Sequence, residues 1–376
     1  VKIAHILTYT YESGGTSKFV LDTAEYQIKQ GDEVIILSVL LDGHTEYPVP
    51  EGVELKHFKP EFRTRFFPLY SSEMFKYIEE HQHEIDVFHL HCLWNYGEWA
   101  MHKLNLHEKT VITVHGSLHP YTFKGGTYWK RLLFTSLFQK TFMDKVKVIH
   151  VNHNAEKQAV VEYLDSDVPQ IEVIPNGTNI TSHMHDALLQ RNRMQLLFLA
   201  RMHHKKGIDL LLPAFKQVVS QFPDAELILA GPDEGMLAYV NKFVEENNLH
   251  SNVRYIGSIS GEEKANYLKT AGVFVLPTYS EGFSLGILEA LEYGIPIVCS
   301  DQTGLSPFLE DYNAAVVTAL TSDSLAQGLT AVLKDPSLAD ELKTNGTLLI
   351  KEQFEKNQIY NRINTAIYSK FRAIDN

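Results

Sequence analysis

Apolar residues along the chain alternate between short continuous runs and longer stretches with helical spacing. Lys2 to Thr8 and Glu33 to Leu40 read as strands, and Ser17 to Gln30 between them carries a helical pattern closed by Gly31. IDVFHLH, Thr110 to Val114, Val146 to Val151 and IEVI continue the strands through the first half. In the second half the runs are Gln195 to Ala200, Leu227 to Ala230, Val253 to Ile256, Val273 to Leu276 and Pro296 to Ser300. Runs this apolar suit parallel strands covered on both faces, and strands separated by helices imply right-handed crossovers. Polar residues between Ile174-Pro175-Asn176-Gly177 and Arg193 show no period, so 179–192 reads as a linker between two α/β domains. Phe354 to Phe371 has helical spacing at Ile359, Ile363 and Ile367.

One stretch stands apart from this rhythm: FVLPTYSEGFSLGILE, Phe274 to Glu289. Pro277 stops a buried strand, and helical spacing resumes at Leu285, Leu288 and Leu291 until Gly294 and Pro296 end it. Gly282 and Ser284 let the backbone approach a ligand, and the first helical turn, entered through Phe283, Ser284 and Leu285, offers unpaired N–H groups to an anion. Glu281 and Glu289 beside such a site would repel a phosphate alone. They suit a ligand that also carries hydroxyls, as a nucleotide sugar does on its ribose and its hexose.

The remaining candidates sit at strand ends. The strand Gln195 to Ala200 runs into ARMHHKKG, where Arg201 and Lys206 flank a turn suited to anion binding; Arg supplies a rigid fork and Lys a movable point charge. Gly231, after Ala230, removes a side chain where a nucleotide could approach. Gly14-Gly15 opens the first helix, without the third glycine and the acidic residue of a dinucleotide fingerprint. His115-Gly116 lies at the carboxyl end of a strand, where a doubly wound sheet keeps its chemistry. His89 and His91 project to one face of their strand, but no third or fourth ligand follows at a recognisable spacing, so no metal is expected. Asp165-Ser166-Asp167 precedes a strand instead of following one and reads as a surface turn.

Composition narrows the class. The 376 residues exceed one ordinary core, and 44% hydrophobic with 21% charged residues is a globular balance. No apolar run reaches the length of a spanning helix, the N-terminus reads as a strand and not as a secretion signal, and two cysteines in opposite halves indicate a reducing compartment. The expectation is therefore a cytoplasmic protein, with the inner face of the cell membrane as a further location. A net charge of −12 argues against nucleic acid as a partner. Residues 124–147, however, set Lys124, Lys130, Arg131, Lys140, Lys145 and Lys147 against the single Asp144 among aromatic residues. A peripheral hold on anionic membrane and a core-packed helix with solvated lysines both fit that pattern. In KPEFRTRFFPLY, Arg63 and Arg65 either meet an acceptor phosphate or are solvated.

The Glu-x7-Glu spacing within EGFSLGILEA, with Arg-x4-Lys and TVHGS in the same order along the chain, resembles the family-four retaining glycosyltransferases of GT-B architecture. The resemblance covers the whole chain. It implies two Rossmann-like doubly wound parallel-sheet domains with a cleft between them: 1–178 joined by a C-terminal helix at 357–376 as the acceptor-binding domain, and 193–356 as the nucleotide-sugar-binding domain. It implies that Arg201 and Lys206 clamp the diphosphate, that Gly14 and Gly15 lie against it, and that the loop holding Ile259 contacts the base. His115 would lie near the donor sugar, Glu289 would hold the ribose and Glu281 the hexose, with a nucleophilic Glu281 as the alternative. His91 and Arg65 are assigned to the acceptor side. Where the family has a second glycine and an acid, Thr303-Gly304-Leu305-Ser306-Pro307-Phe308 departs from it and leaves the donor open.

The implied activity is metal-independent, retaining transfer of a hexose from a UDP- or GDP-sugar to a glycan or lipid-linked acceptor in cell-surface polysaccharide synthesis, with no cofactor beyond the donor. A sugar-nucleotide epimerase or hydrolase of the same fold, or a non-catalytic nucleotide-sugar-binding module, are the rival readings.

Overall fold

The computed structural model of the chain describes residues 1–10, 14–61, 68–118, 138–166, 170–178 and 191–372. It forms two compact units, Val1–Gly177 with Asn357–Asn376, and Thr178–Lys356. Thr178 thus falls in the second unit and not the first: its N–H donates to Phe354 O at 2.8 Å and its carbonyl accepts from Lys356 N at 2.9 Å. The read linker lies mostly in 179–190, outside the described residues.

The first unit holds β1 (Lys2–Leu7), β2 (Glu33–Val39), β3 (Glu54–Phe58), β4 (Val87–His91), β5 (Thr110–Thr113), β6 (Val148–Val151) and β7 (Ile171–Val173). They pair in parallel in the order β3-β2-β1-β4-β5-β6-β7. Period-two alternation sends Ala4, Ile6, Phe88, Leu90, Ile112 and Ile149 into an apolar core on one face. The opposite face carries Ile3, Leu7, Val87, Val111 and Val148, covered by Phe19 of the helix Gly15–Lys29 and by Ile359, Tyr360, Ile363, Ile367 and Tyr368. The C-terminal segment that supplies those residues is not one helix. A wide turn over Ile350–Phe354 ends at the extended Glu355, and the helix Lys356–Ala366 is followed by a tight turn, Tyr368–Phe371.

The second unit holds β8 (Asn192–Leu199), β9 (Glu226–Ala230), β10 (Val253–Gly257), β11 (Ala271–Leu276), β12 (Ile297–Ser300) and β13 (Val316–Thr318), parallel in the order β10-β9-β8-β11-β12-β13. Strand order reverses between β1 and β4 in one sheet and between β8 and β11 in the other. In open α/β sheets the crevice at the carboxyl ends of such strands is where ligands bind. The loops leaving β8 and β11 carry Arg201, Lys206 and Glu281, and the loop leaving β1 carries Gly14. No helix among the described residues is long and apolar enough to cross a membrane. Both cysteines are free.

Candidate active site

In the second unit two loops are locked together backbone to backbone. The chain leaves β8, makes a tight turn at His204–Lys206 and enters the helix Ile208–Gln221 through Gly207 at φ +73°. A Cβ on Gly207 would lie 1.8 Å from Pro277 O, so only glycine lets this turn meet the end of β11. Lys205 O then accepts from Tyr279 N at 2.8 Å and from Thr278 Oγ1 at 2.9 Å, and the His204 ring stacks on Tyr279 with centroids 5.2 Å apart. Gly231 does the same for the neighbouring strand, since a Cβ there would lie 2.0 Å from Ala200 O. Lys206 and Glu281, 75 residues apart in sequence, are brought into an ion pair by this joint. Lys206 is 9% exposed, which limits what can reach its ammonium group.

The other charged groups are paired as well. Arg201 Nη1 donates to both carboxylate oxygens of Glu234 at 2.8 Å on the exposed rim, and Lys264 Nζ donates to Glu289 Oε1 at 2.7 Å. Glu281 is fixed at its backbone: its N–H donates to Gln302 O and its carbonyl accepts from Gly304 N, both at 3.0 Å. Ser284 caps the helix Leu285–Glu292, its Oγ accepting from Ile287 N at 3.3 Å. Phe283 is buried with its ring edge-on to Phe354, while Leu285 and Ile259 are half-buried against the core. Phe308 packs edge-on against the same Phe354 at 5.2 Å, which gives an apolar reason for the missing acid. Sequence reasoning missed Glu234 and Lys264, whose pairing is visible only once β8, β9 and β11 are side by side.

The site of the first unit is built from histidine. Register sets His5 beside His89 and His91 beside Thr113, which in turn neighbours His150, so the five project from one face of β1, β4, β5 and β6. His5 Nδ1 and His91 Nε2 are 3.0 Å apart, His91 Nδ1 and His115 Nε2 3.1 Å, and His5 Nε2 and Gln27 Oε1 3.0 Å. His89 bridges Tyr368 Oη and Thr113 Oγ1, each at 2.6 Å, and Thr113 Oγ1 lies 2.9 Å from His150 Nδ1. Burial keeps these rings neutral: it pulls His5 and His150 down to about 4 and His115 to about 3, and holds His89 and His91 well below the usual range with the help of neighbouring rings. His115 itself sits in the left-handed region at φ +50°, and Glu156 fixes the turn around it by accepting the Gly116 N–H on one oxygen and the Asn152 N–H, at 2.7 Å, on the other.

His5 is the third histidine that sequence spacing did not reveal, and the ring nitrogens of His5, His89 and His91 come within 4.8 Å of one another. A metal needs ligand lone pairs converging on one point. Here the rings lie within 36° of parallel, centroids 4.3 to 5.2 Å apart, and every nitrogen already has a hydrogen-bond partner. The same bonds correct the reading of His91. It is 2% exposed, and His5 and His115 occupy both of its nitrogens, which leaves none for an acceptor. At Gly14, φ +52°, no atom of the described residues lies within 4 Å of where a side chain would start. Arg63, Arg65 and the basic stretch up to residue 137, with Lys124, Lys130 and Arg131, lie outside the described residues. Asp165 ends the helix Asn154–Leu164 in the left-handed conformation, exposed on a surface turn.

Two family profiles match in succession: one described as Glycosyltransferase Family 4 over residues 13–182, the other as Glycosyl transferases group 1 over 180–348. The chain is a family-four-type glycosyltransferase of GT-B fold. Among curated relatives, the glycosyltransferase is 26% identical over 359 residues to a phosphatidyl-myo-inositol mannosyltransferase of Mycolicibacterium smegmatis, covering 90% of this chain and 86% of that one. Among solved structures it superposes on sucrose-phosphate synthase from Thermosynechococcus elongatus with a TM-score of 0.79 at 20% identity, covering 98% and 99% of the two chains. It also superposes on Anabaena HepE in complex with UDP-glucose, with a TM-score of 0.74 at 16% identity and coverage of 98% and 99%.

Proposed function

We propose that the enzyme transfers a hexose, with retention and without a metal, from a UDP- or GDP-sugar to a lipid-linked or glycan acceptor in cell-surface polysaccharide synthesis. The observation that carries this is the joint between the β8 and β11 loops, where Lys206 meets Glu281 beside a capped helix N-terminus, with Arg201 on the rim and Glu289 one helix turn further in. Breaking the bond between sugar and diphosphate gathers negative charge on the leaving group. Two cations and unpaired backbone N–H groups held in place before the reaction can stabilise that charge without reorganising. Each cation is neutralised by a carboxylate that shares its site, so an entering diphosphate competes with Glu234 for Arg201 and with Glu281 for Lys206. Glu281, released or shared, then faces hexose hydroxyls, and Glu289 those of the ribose. This arrangement favours Glu281 as a hydroxyl ligand over a nucleophile, and transfer on one face of the sugar through an oxocarbenium-like state. Support for the donor comes from HepE, solved with UDP-glucose, and for a lipid-linked acceptor from the mannosyltransferase of phosphatidyl-myo-inositol.

The test is a thermal-shift screen against nucleotide sugars, followed by transfer assays with the stabilising donor in the presence of EDTA. One donor stabilising the fold, as binding to the native state alone requires, and activity retained in chelator are expected. Activity abolished by EDTA and restored by a divalent cation would sink the metal-free clamp.

A further inference from the structure

The histidine cluster of the first unit forms two hydrogen-bonded branches, and the direction of each is set at one end. In a neutral imidazole one nitrogen donates and the other accepts. His150 Nε2 lies 2.8 Å from the backbone carbonyl of Ile174, which can only accept, so His150 carries its proton on Nε2. Its Nδ1 then accepts from the Thr113 hydroxyl, the hydroxyl oxygen accepts from His89 Nε2–H, and His89 Nδ1 accepts from the Tyr368 phenol. Tyr368 ends this first branch, and the Gln27 amide nitrogen has no hydrogen-bond partner among the described residues. Gln27 Oε1, however, lies 3.0 Å from His5 Nε2, and an amide oxygen can only accept, so His5 carries its proton on Nε2. From there the second branch follows: His5 donates from Nε2 to Gln27, His91 donates from Nε2 to His5 Nδ1, and His115 donates from Nε2 to His91 Nδ1. The Phe19 ring, with centroids 5.3 to 6.4 Å from His89, His91, His115 and His150, keeps the cluster from water that could break the order.

We propose that Gln27, His5 and His91 are positioning residues that hold His115 in its Nε2–H tautomer and so present His115 Nδ1 as a hydrogen-bond acceptor to a substrate hydroxyl. His115 Nδ1 has no partner among the described residues, and the ring is half-buried where the cluster ends. A reversed chain would make the same atom a donor, and a hydroxyl that must give its proton to the bond would be met by a second proton. The inference rests on the glycosyltransferase reading only for the identity of the hydroxyl; the tautomer itself is a property of the free protein.

The test reads the tautomer first. Long-range proton–nitrogen spectra of histidine-labelled protein, with H115N to assign the ring, should show His115 protonated at Nε2 and bare at Nδ1. Q27M and H91F should give a mixture of tautomers. With the donor found above, H91F should lower kcat about 10-fold, the worth of roughly one hydrogen bond, with KM within about 2-fold. A wild-type spectrum with the proton on Nδ1 would overturn the proposal, without any variant needing to fold. So would the His115 signals staying fixed in Q27M and H91F, or one zinc per chain retained by the purified protein and shifting the signals of His5, His89 and His91. Loss of transfer activity in the wild type with the expected tautomer intact would instead strike the function reading.

Discussion

The two units share one layout, a parallel sheet whose order reverses once, yet they place polar chemistry at opposite levels. In the first unit five histidines lie in or against the sheet, neutral and joined to one another. In the second the sheet is apolar, and the polar groups are charged pairs in the loops and helices beyond it: Arg201–Glu234, Lys206–Glu281 and Lys264–Glu289. Partly solvated ion pairs bind weakly and exchange readily, which suits a place where a charged ligand must replace one partner. A buried neutral chain does not exchange. It fixes orientation, at the expense of tolerating no added charge.

Acid should separate the two most strongly. Each ring of the cluster binds its proton less readily folded than unfolded, so between about pH 6.5 and about pH 4 the unfolded chain holds protons that the folded chain lacks. Stability then falls as pH drops through that window, by up to about 1.4 kcal/mol per pH unit for each ring. Two buried carboxyls oppose this. Glu98, pushed up to about 8, and Glu156, raised by burial, hold protons better folded than unfolded and gain stability as pH falls. Five rings against two carboxyls leave the histidines ahead. Among the described residues the second unit has one histidine lowered by burial, His203. Hydrogen exchange at pH 7.5 and 5.5 should show β1, β4, β5 and β6 losing protection first; equal loss in β8, β9 and β11 would remove the contrast.

Removing a charge from the second unit should act on chemistry and spare the fold. Lys206→Ala leaves Glu281 partly solvated, so the melting temperature should stay within a few degrees, while kcat falls about 10² to 10³-fold, the usual loss for one group aimed at developing charge. His5→Ala in the first unit should show the reverse balance, a larger drop in melting temperature than Lys206→Ala, because it leaves His91 Nε2 and Gln27 Oε1 buried without partners. A Lys206→Ala protein that turns over at the wild-type rate would detach the cation from the reaction.

How far each unit was legible in the sequence follows the same division. The strands were readable wherever they were buried and continuous, as with Val273–Leu276, but β3, with Glu54, Lys56 and His57 on an edge, lacks a strand's apolar signature, and β13 is only three residues long. Arg201, Lys206, Glu281 and Glu289 stood out as candidates because short spacings set them about two loops and the helix that follows. His5 could not be, because its partner His91 lies 86 residues away and only the strand order β1-β4 joins them. Glu156 hides in an ordinary helical pattern and acts on Gly116, 40 residues earlier. His91, by contrast, was visible but misassigned, since periodicity gives the face of a strand and not what covers it.

The smallest test compares glycines at equivalent places, each opening the first helix after a switch-point strand. Gly207 and Gly14 both have positive φ, +73° and +52°, so alanine at either is strained by about 1 to 2 kcal/mol. Only Gly207 also meets an obstacle, Pro277 O at 1.8 Å, whereas no atom of the described residues lies within 4 Å of a Cβ on Gly14. In urea titrations Gly207→Ala should therefore cost about 3 kcal/mol or more, because the β8 and β11 loops must part, and should loosen the Lys206–Glu281 pair with them. Gly14→Ala should cost about half as much or less. If its activity falls further than its stability, the space in front of Gly14 is needed by substrate, and the loop joins the site on its own evidence. Equal stability losses at the two positions would mean that strain alone governs both, and that the fit between the second unit's loops contributes nothing beyond it.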